Sequence, residues 1–213
     1  MAIVIINPNS TADMTGAMLA AARNAAPEIT FEGWTSDRGP PAIEGTDDGK
    51  AASTPLLQLV RKASDQGASG IIIGCFDDTA LERAAHIASC PVIGIGQAAF
   101  HHCALRQRRF SVVTTLPVSV PVIEDNLTAY GLSGQVGRVR ASNVPVLDLE
   151  HDIHAATDLI IAESQAAAQE DGVDALVLGC AGMVHVTKSV RTAVSLPVID
   201  PVEAAATSMR WLA

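Results

Sequence analysis

Gly67-Ala-Ser-Gly-Ile-Ile-Ile-Gly-Cys75 and Gly172-Val-Asp-Ala-Leu-Val-Leu-Gly-Cys180 are the two stretches whose reading decides the fold. Each is a short apolar run closed by one glycine and one cysteine. A buried parallel strand ends this way before a functional loop. The two cysteines lie 105 residues apart, and so do Gly67 and Gly172. Further on, Pro91-Val92-Ile93 matches Pro197-Val198-Ile199 at a shift of 106, and Gln97-Ala98-Ala99 lies opposite Glu203-Ala204-Ala205 at the same shift. One residue is gained over the whole stretch, so the chain reads as an internal duplication.

Outward from these strands the pattern alternates. The first half reads as strand Ala2–Ile6, helix Thr11–Ala26 with Ser10 as N-cap, and strand Ile29–Trp34. A Gly/Pro/Asp-rich loop over Arg38–Asp48 and a helix over Thr54–Gln66 follow, with Pro55 in that helix's first turn. After Gly70–Gly74 come a helix over Thr79–Ala88, a strand over Pro91–Ile95 and a helix over Ala98–Arg106. The order restarts with Phe110–Thr114, a helix over Val120–Tyr130 and a strand over Val136–Ala141. Then come Asp152–Glu170, Ala175–Leu178, Val184–Ala193 and Pro197–Ile199, with a last helix near Val202–Leu212. Parallel strands joined by helices imply doubly wound sheets. The expected fold class is α/β: two similar doubly wound parallel-sheet lobes related by duplication, with the active site in the cleft between them. The expected division is 1–97 and 98–200, the C-terminal helix 201–213 packing back on the first lobe.

The composition narrows the function. At 213 residues, 48% hydrophobic and 17% charged, the chain is core-rich and globular. Only 3% of residues are aromatic and the net charge is −9, which argues against nucleic-acid and anionic-membrane partners. No apolar run reaches the roughly 18 residues a membrane span needs. Met-Ala-Ile-Val-Ile-Ile-Asn turns polar at once and reads as a first strand rather than a signal peptide. Cys75, Cys90, Cys103 and Cys180 form no C-x-x-C pair. Reduced thiols in a cytoplasmic protein are expected, with a small-molecule substrate, self-association into a homo-oligomer, and no metal or cofactor.

Open α/β sheets place reacting groups just past the carboxyl ends of their strands. Cys75 and Cys180, one from each half, can face a substrate from opposite sides. Each precedes a helix start, where the helix dipole should lower the thiol pKa toward neutrality. The competing reading is two inert strand-end cysteines, and Cys90 and Cys103 are read as small buried hydrophobes. Asn7-Pro8-Asn9-Ser10 offers amides to a ligand or caps the next helix, and Thr114-Thr115 is its counterpart. Gly94-x-Gly96-x-x-Ala99 matches a dinucleotide fingerprint only formally, because it falls late in its half and no acidic residue lies about 20 positions on. His151 and His154 would share a helix face, without further ligands for a metal. His101 and His102 read as helix surface, and His185 as a residue within reach of the cleft. A two-lobed binding module and a thiol redox sensor stay open beside an enzyme.

Taken together, Asn-Pro-Asn-Ser at 7–10, Arg-Gly-Pro-Pro-Ala-Ile-Glu-Gly at 38–45 and Gly-Cys-Phe-Asp-Asp at 74–78 resemble the aspartate/glutamate racemase superfamily, and within it the hydantoin racemase family that includes allantoin racemases. Pro91–Gly96, Phe110–Leu116, Val144–Glu150 and Gly-Cys-Ala-Gly-Met at 179–183 carry the same resemblance. It implies a cofactor-free racemase in which Cys75 and Cys180 exchange a proton with the 5-carbon of a hydantoin. Asn9, Thr114, Thr115 and the N–H groups of Gly182 and Met183 would hold the ring, and Ile43 and Phe76, with Pro41 and Glu44, would wall the substituent. Amino-acid racemases of the superfamily carry a hydroxyl-bearing residue soon after each cysteine. Phe76 and Ala181 stand here directly after them, which favours a neutral ring over free aspartate or glutamate. An acidic amino-acid racemase is the nearest alternative.

Overall fold

The computed structural model describes residues 2–213. Its first half runs β1 (Ile3–Asn7), α1 (Ala12–Ala25), β2 (Phe31–Thr35), α2 (Thr46–Asp65), β3 (Gly70–Ile73), α3 (Leu81–Ile87), β4 (Val92–Gly94) and α4 (Ile95–Leu105). The second runs β5 (Phe110–Thr114), α5 (Val120–Ala129), β6 (Val136–Ala141), α6 (Asp148–His151), α7 (Ile153–Glu170), β7 (Ala175–Gly179), α8 (Thr187–Ala193), β8 (Val198–Ile199) and α9 (Pro201–Leu212). Each half builds a four-stranded parallel sheet, ordered β2-β1-β3-β4 and β6-β5-β7-β8. The two orders are the same order, as a duplication requires. β3 and β7, which carry the cysteines at their ends, occupy matching places beside the central strands β1 and β5.

The inner strands are buried on both faces, so their alternation is hidden in the sequence but plain in the packing. Val4, Ile6, Ile71 and Ile73 pack against Leu56 and Val60 of α2 and Leu81 of α3. Ile3, Ile5 and Ile72 belong instead to the larger core that also holds Met14, Met18, Phe100, Phe110, Val177 and Met209. That core runs unbroken from one sheet to the other. α9 packs on α1 and α4, returning the end of the chain to the first half. α4 itself spans the expected 97/98 division. Burying one such side chain contributes about 2 kcal/mol, so the shared core ties the halves together strongly.

Several local expectations are corrected. α2 begins at Thr46, well before the expected Thr54, and Pro55 sits inside it. A proline removes only its own N–H from the helix ladder, and Ala51, whose carbonyl loses that partner, is solvent-exposed. Asp47 and Asp48 in the first turn favour the helix dipole. Ser10 does not cap α1. Thr11 holds that position without a side-chain bond, and Asn9 Oδ1 takes the Thr11 N–H at 3.0 Å. The helix break at Asp152 separates His151 from His154, so the two imidazoles share no helix face. No group of three or more His, Cys, Asp or Glu that could hold a metal occurs among the described residues. Nor is any helix among them long and apolar enough to cross a membrane.

The two halves cap equivalent helices with carboxylates delivered from different places. In the second half Asp200 caps its own helix α9, taking the N–H groups of Val202 at 2.8 Å and Glu203 at 3.1 Å. In the first half the matching position is Gly94. Its carboxylate comes from Asp78, whose oxygens accept the N–H groups of Gly96 at 3.1 Å and Gln97 at 2.7 Å. Glycine is required at 94 because a Cβ there would run into the Asp78 carboxylate. In the turn that mimics a dinucleotide fingerprint, Gly94 makes room for the protein's own carboxylate and Gly96 binds it.

Candidate active site

Cys75 follows β3 and Cys180 follows β7, and both line one small cavity between the two sheets. Gly179, the residue before Cys180, is glycine for a steric reason: a Cβ would lie 2.8 Å from the Thr114 Cα on the neighbouring strand. Asn9, Ile43, Phe76, Asp77, Thr115 and Ser119 also line the cavity. Its volume is about 30 Å³, roughly the space of one water. Small-molecule pockets run about 300–1,000 Å³, so the cavity in this structure is narrower than a bound ring needs. A cross-half hydrogen bond lies beside it. Glu44 Oε1 accepts the Val146 N–H at 2.8 Å, beside the cavity residues Ile43 and Val146.

Polar groups near each sulfur work to lower its pKa. Near Cys180 these are the N–H groups of Gly182 and Met183, at the start of a 3-10 turn over Ala181–His185 in which the Met183 N–H bonds the Cys180 carbonyl at 3.2 Å. Near Cys75 they are the Asp77 N–H and the hydroxyl of Thr79, which is buried and makes no hydrogen bond among the described residues. These donors favour thiolate, but burial dominates. Desolvation, with the Asp77 charge adding to it, pushes the Cys75 thiol far above its ordinary value. Burial pushes Cys180 up to about 12, against the help of Gly182 and Met183, and the charges of Asp77 and Glu44 add to the rise. The expected lowering toward neutrality is thus reversed. A single 3-10 turn and a non-helical loop offer too weak a dipole to offset removal from water.

The other expected residues divide. Asn9, Ile43, Phe76 and Thr115 meet at the cavity. The Asn9 side chain is fixed by the Asn7 amide at 2.8 Å, and its own Nδ2 reaches only the Met14 sulfur at 3.3 Å, leaving that donor for a ligand carbonyl. Thr114 does not line the cavity, because its hydroxyl donates to the Gly179 carbonyl at 2.9 Å and holds β5 to β7. Gly182 and Met183 act on the Cys180 sulfur and are absent from the cavity wall, as is Pro41. His185 turns to Glu150, with Nε2 and Oε1 3.4 Å apart. Cys90 and Cys103 lie away from the site, the latter fully buried in α4.

Sequence reading missed Asp77 and Ser119. Asp77 Oδ2 is buried and makes no hydrogen bond among the described residues, and burial raises its carboxyl to about 7. A signal was available, since the duplication places Asp77 opposite Gly182, a carboxylate with no mate.

Comparisons with known proteins identify the family. The family model described as Asp/Glu/Hydantoin racemase matches residues 3–209. A hydantoin racemase of Rhizobium meliloti is 44% identical over 209 residues, covering 96% of this chain and 86% of the relative. A hydantoin racemase of Pseudomonas sp. (strain NS671) is 34% identical over 205 residues, covering 96% and 82%. Among solved structures, an allantoin racemase from Klebsiella pneumoniae superposes with a TM-score of 0.93 at 36% identity, over 99% of this chain and 86% of that one.

Proposed function

The chain belongs to the Asp/Glu/hydantoin racemase family and is an isomerase, and on that footing we propose that it racemises 5-substituted hydantoins, allantoin among them, through Cys75 and Cys180. The observation that carries the mechanism is the pair of cysteines at one cavity, each delivered by an equivalent strand. One cysteine, as thiolate, takes the proton from the 5-carbon. The electron pair left behind spreads onto the adjacent carbonyl oxygen as an enolate. The other cysteine, as thiol, gives its proton to the opposite face and becomes thiolate. The reverse enantiomer runs the same steps in the opposite sense, and the scheme uses no cofactor.

Burial serves this chemistry. It makes a thiolate scarce, yet it makes the thiolate that does form a stronger base toward a weak carbon acid. Asn9 Nδ2 and the Thr115 hydroxyl supply donors for ring carbonyls and for the developing oxyanion. Ile43 and Phe76 give the apolar wall. Thr114, Gly182 and Met183 hold the machinery rather than the ring. The test is loss of optical rotation from pure enantiomers of several 5-substituted hydantoins and of allantoin. Racemisation of at least one is expected, and no loss from any of them, with enzyme shown to be folded, would refute the reading.

A further inference from the structure

We propose that Asp77 determines specificity in this site: its free Oδ2 accepts the ring N–H beside the reacting carbon of an uncharged cyclic ureide and turns away α-carboxylates. The inference rests on the racemase reading above and deepens it.

The loop that carries Asp77 is fixed from the other half of the molecule. The Asp77 carbonyl accepts Asn126 Nδ2 at 2.9 Å, and Tyr130 donates its hydroxyl to Asp78 Oδ2 at 2.8 Å. With Gly96 and Gln97 also bound to Asp78, the backbone on either side of the Asp77 side chain is held. The Asp77 side chain is left with a buried oxygen and no partner among the described residues, at the wall of the cavity. A buried acceptor without a donor is costly and marks a place for one.

Its position says which donor. Asp77 lines the same cavity as Cys75 and Cys180, the cavity in which the reacting carbon must sit. The substrate atoms there are those bonded to the reacting carbon. In a hydantoin these are a ring N–H on one side and a carbonyl on the other. The site has the same inequality. Asp77 offers an acceptor where the duplicated loop has Gly182, and the second half offers the hydroxyls of Thr115 and Ser119. An α-amino acid would instead bring a carboxylate to this space. No Lys, Arg or His is among the described residues lining the cavity. Such a carboxylate would meet Asp77 without a counter-ion.

The test compares wild type and Asp77→Asn, above the pH at which Asp77 ionises. The ligands are a pure 5-substituted hydantoin and its ring-opened N-carbamoyl amino acid, used as competitor. Asp77→Asn should raise KM for the hydantoin about 10- to 100-fold, the range of a bond to a charged acceptor. It should tighten competition by the carbamoyl acid about tenfold or more, since a nearby like charge is removed. In wild type, methylation at N1 should cost more than about tenfold in kcat/KM and methylation at N3 far less, which tests the inference even if the variant fails to fold. An unchanged affinity for the carbamoyl acid, or equal penalties for the two methylated substrates, overturns it. Wild type that racemises no hydantoin overturns the racemase reading instead, so the two failures are distinguishable.

Discussion

Gly94→Ala adds one methyl group and should unfold the first half's helix cap. Gly94 has φ −91° and ψ 152°, a backbone that alanine adopts freely, so conformational strain contributes nothing. The added Cβ would overlap Asp78 Oδ1 and lie 2.5 Å from its Cγ. Asp78 cannot step aside without losing bonds, because its oxygens hold Gly96 N–H, Gln97 N–H and the Tyr130 hydroxyl. A hydrogen bond to a charged group contributes about 1.5–3 kcal/mol, and losing two at the lower figure costs about 3 kcal/mol. Urea unfolding followed by tryptophan fluorescence gives the value directly. A loss below about 1 kcal/mol would show that the loop yields easily and would refute the packing argument. The second half suggests the rescue. Gly94→Asp combined with Asp78→Ala copies the arrangement at Asp200, and it should recover at least half of the lost stability. A double variant no better than Gly94→Ala would mean that the two caps are not interchangeable.

Cys75→Ser and Cys180→Ser should each lower racemisation by more than about a thousandfold, because a serine hydroxyl is a far weaker base than a thiolate. Each should still exchange the 5-proton of one enantiomer with deuterium solvent, and the two should prefer opposite enantiomers. Exchange of the same enantiomer by both would break the assignment of one cysteine to each face. Because both thiols are raised by burial, and Cys180 reaches about 12, the thiolate fraction is small at neutrality and grows with pH. Log kcat/KM should therefore climb with a slope of about one per pH unit from about pH 7 through 9, and a plateau already reached below about pH 7 would contradict it. Arg140 pairs with Asp171 at 2.6 Å and with Glu163 and Glu170, far from the cavity lining. Arg140→Ala should cost about 3 kcal/mol in urea by removing the close counter-ion of the buried Asp171 carboxylate, which keeps only the Ser111 hydroxyl at 2.7 Å and Arg138 at 3.9 Å. Its kcat/KM should stay within about twofold of wild type under folding conditions, and a larger fall would place the network in the catalytic machinery.

What could be read from the sequence was what repeats. The shift of 105 between Cys75 and Cys180 foretold two sheets of one strand order, and strands such as Phe110–Thr114 and Val136–Ala141 stood out by their apolar and alternating patterns. The errors fall where a partner distant in sequence decides. Thr114 looked like a ligand group, but its hydroxyl is taken by Gly179, 65 residues on. Ser10 looked like a cap, but the neighbouring asparagines hold that turn. The thiol pKa was argued from helix starts, which are local, whereas its sign is set by burial, which is a property of the whole fold.

Duplication explains why two equivalent thiols meet, but a symmetric site would be a poor match for an asymmetric ring. The departures from symmetry are therefore the informative residues. Asp78 against Asp200 is a change of route that leaves the function, a capped helix, intact. Asp77 against Gly182 is different in kind, because no second carboxylate or cation restores the balance within the cavity. A packing role would have given Asp77 Oδ2 a donor from the protein, as Asp78, Asp171 and Asp200 all have. Asp77 is left without one at the cavity that both cysteines line, and a substrate N–H is the partner its position calls for.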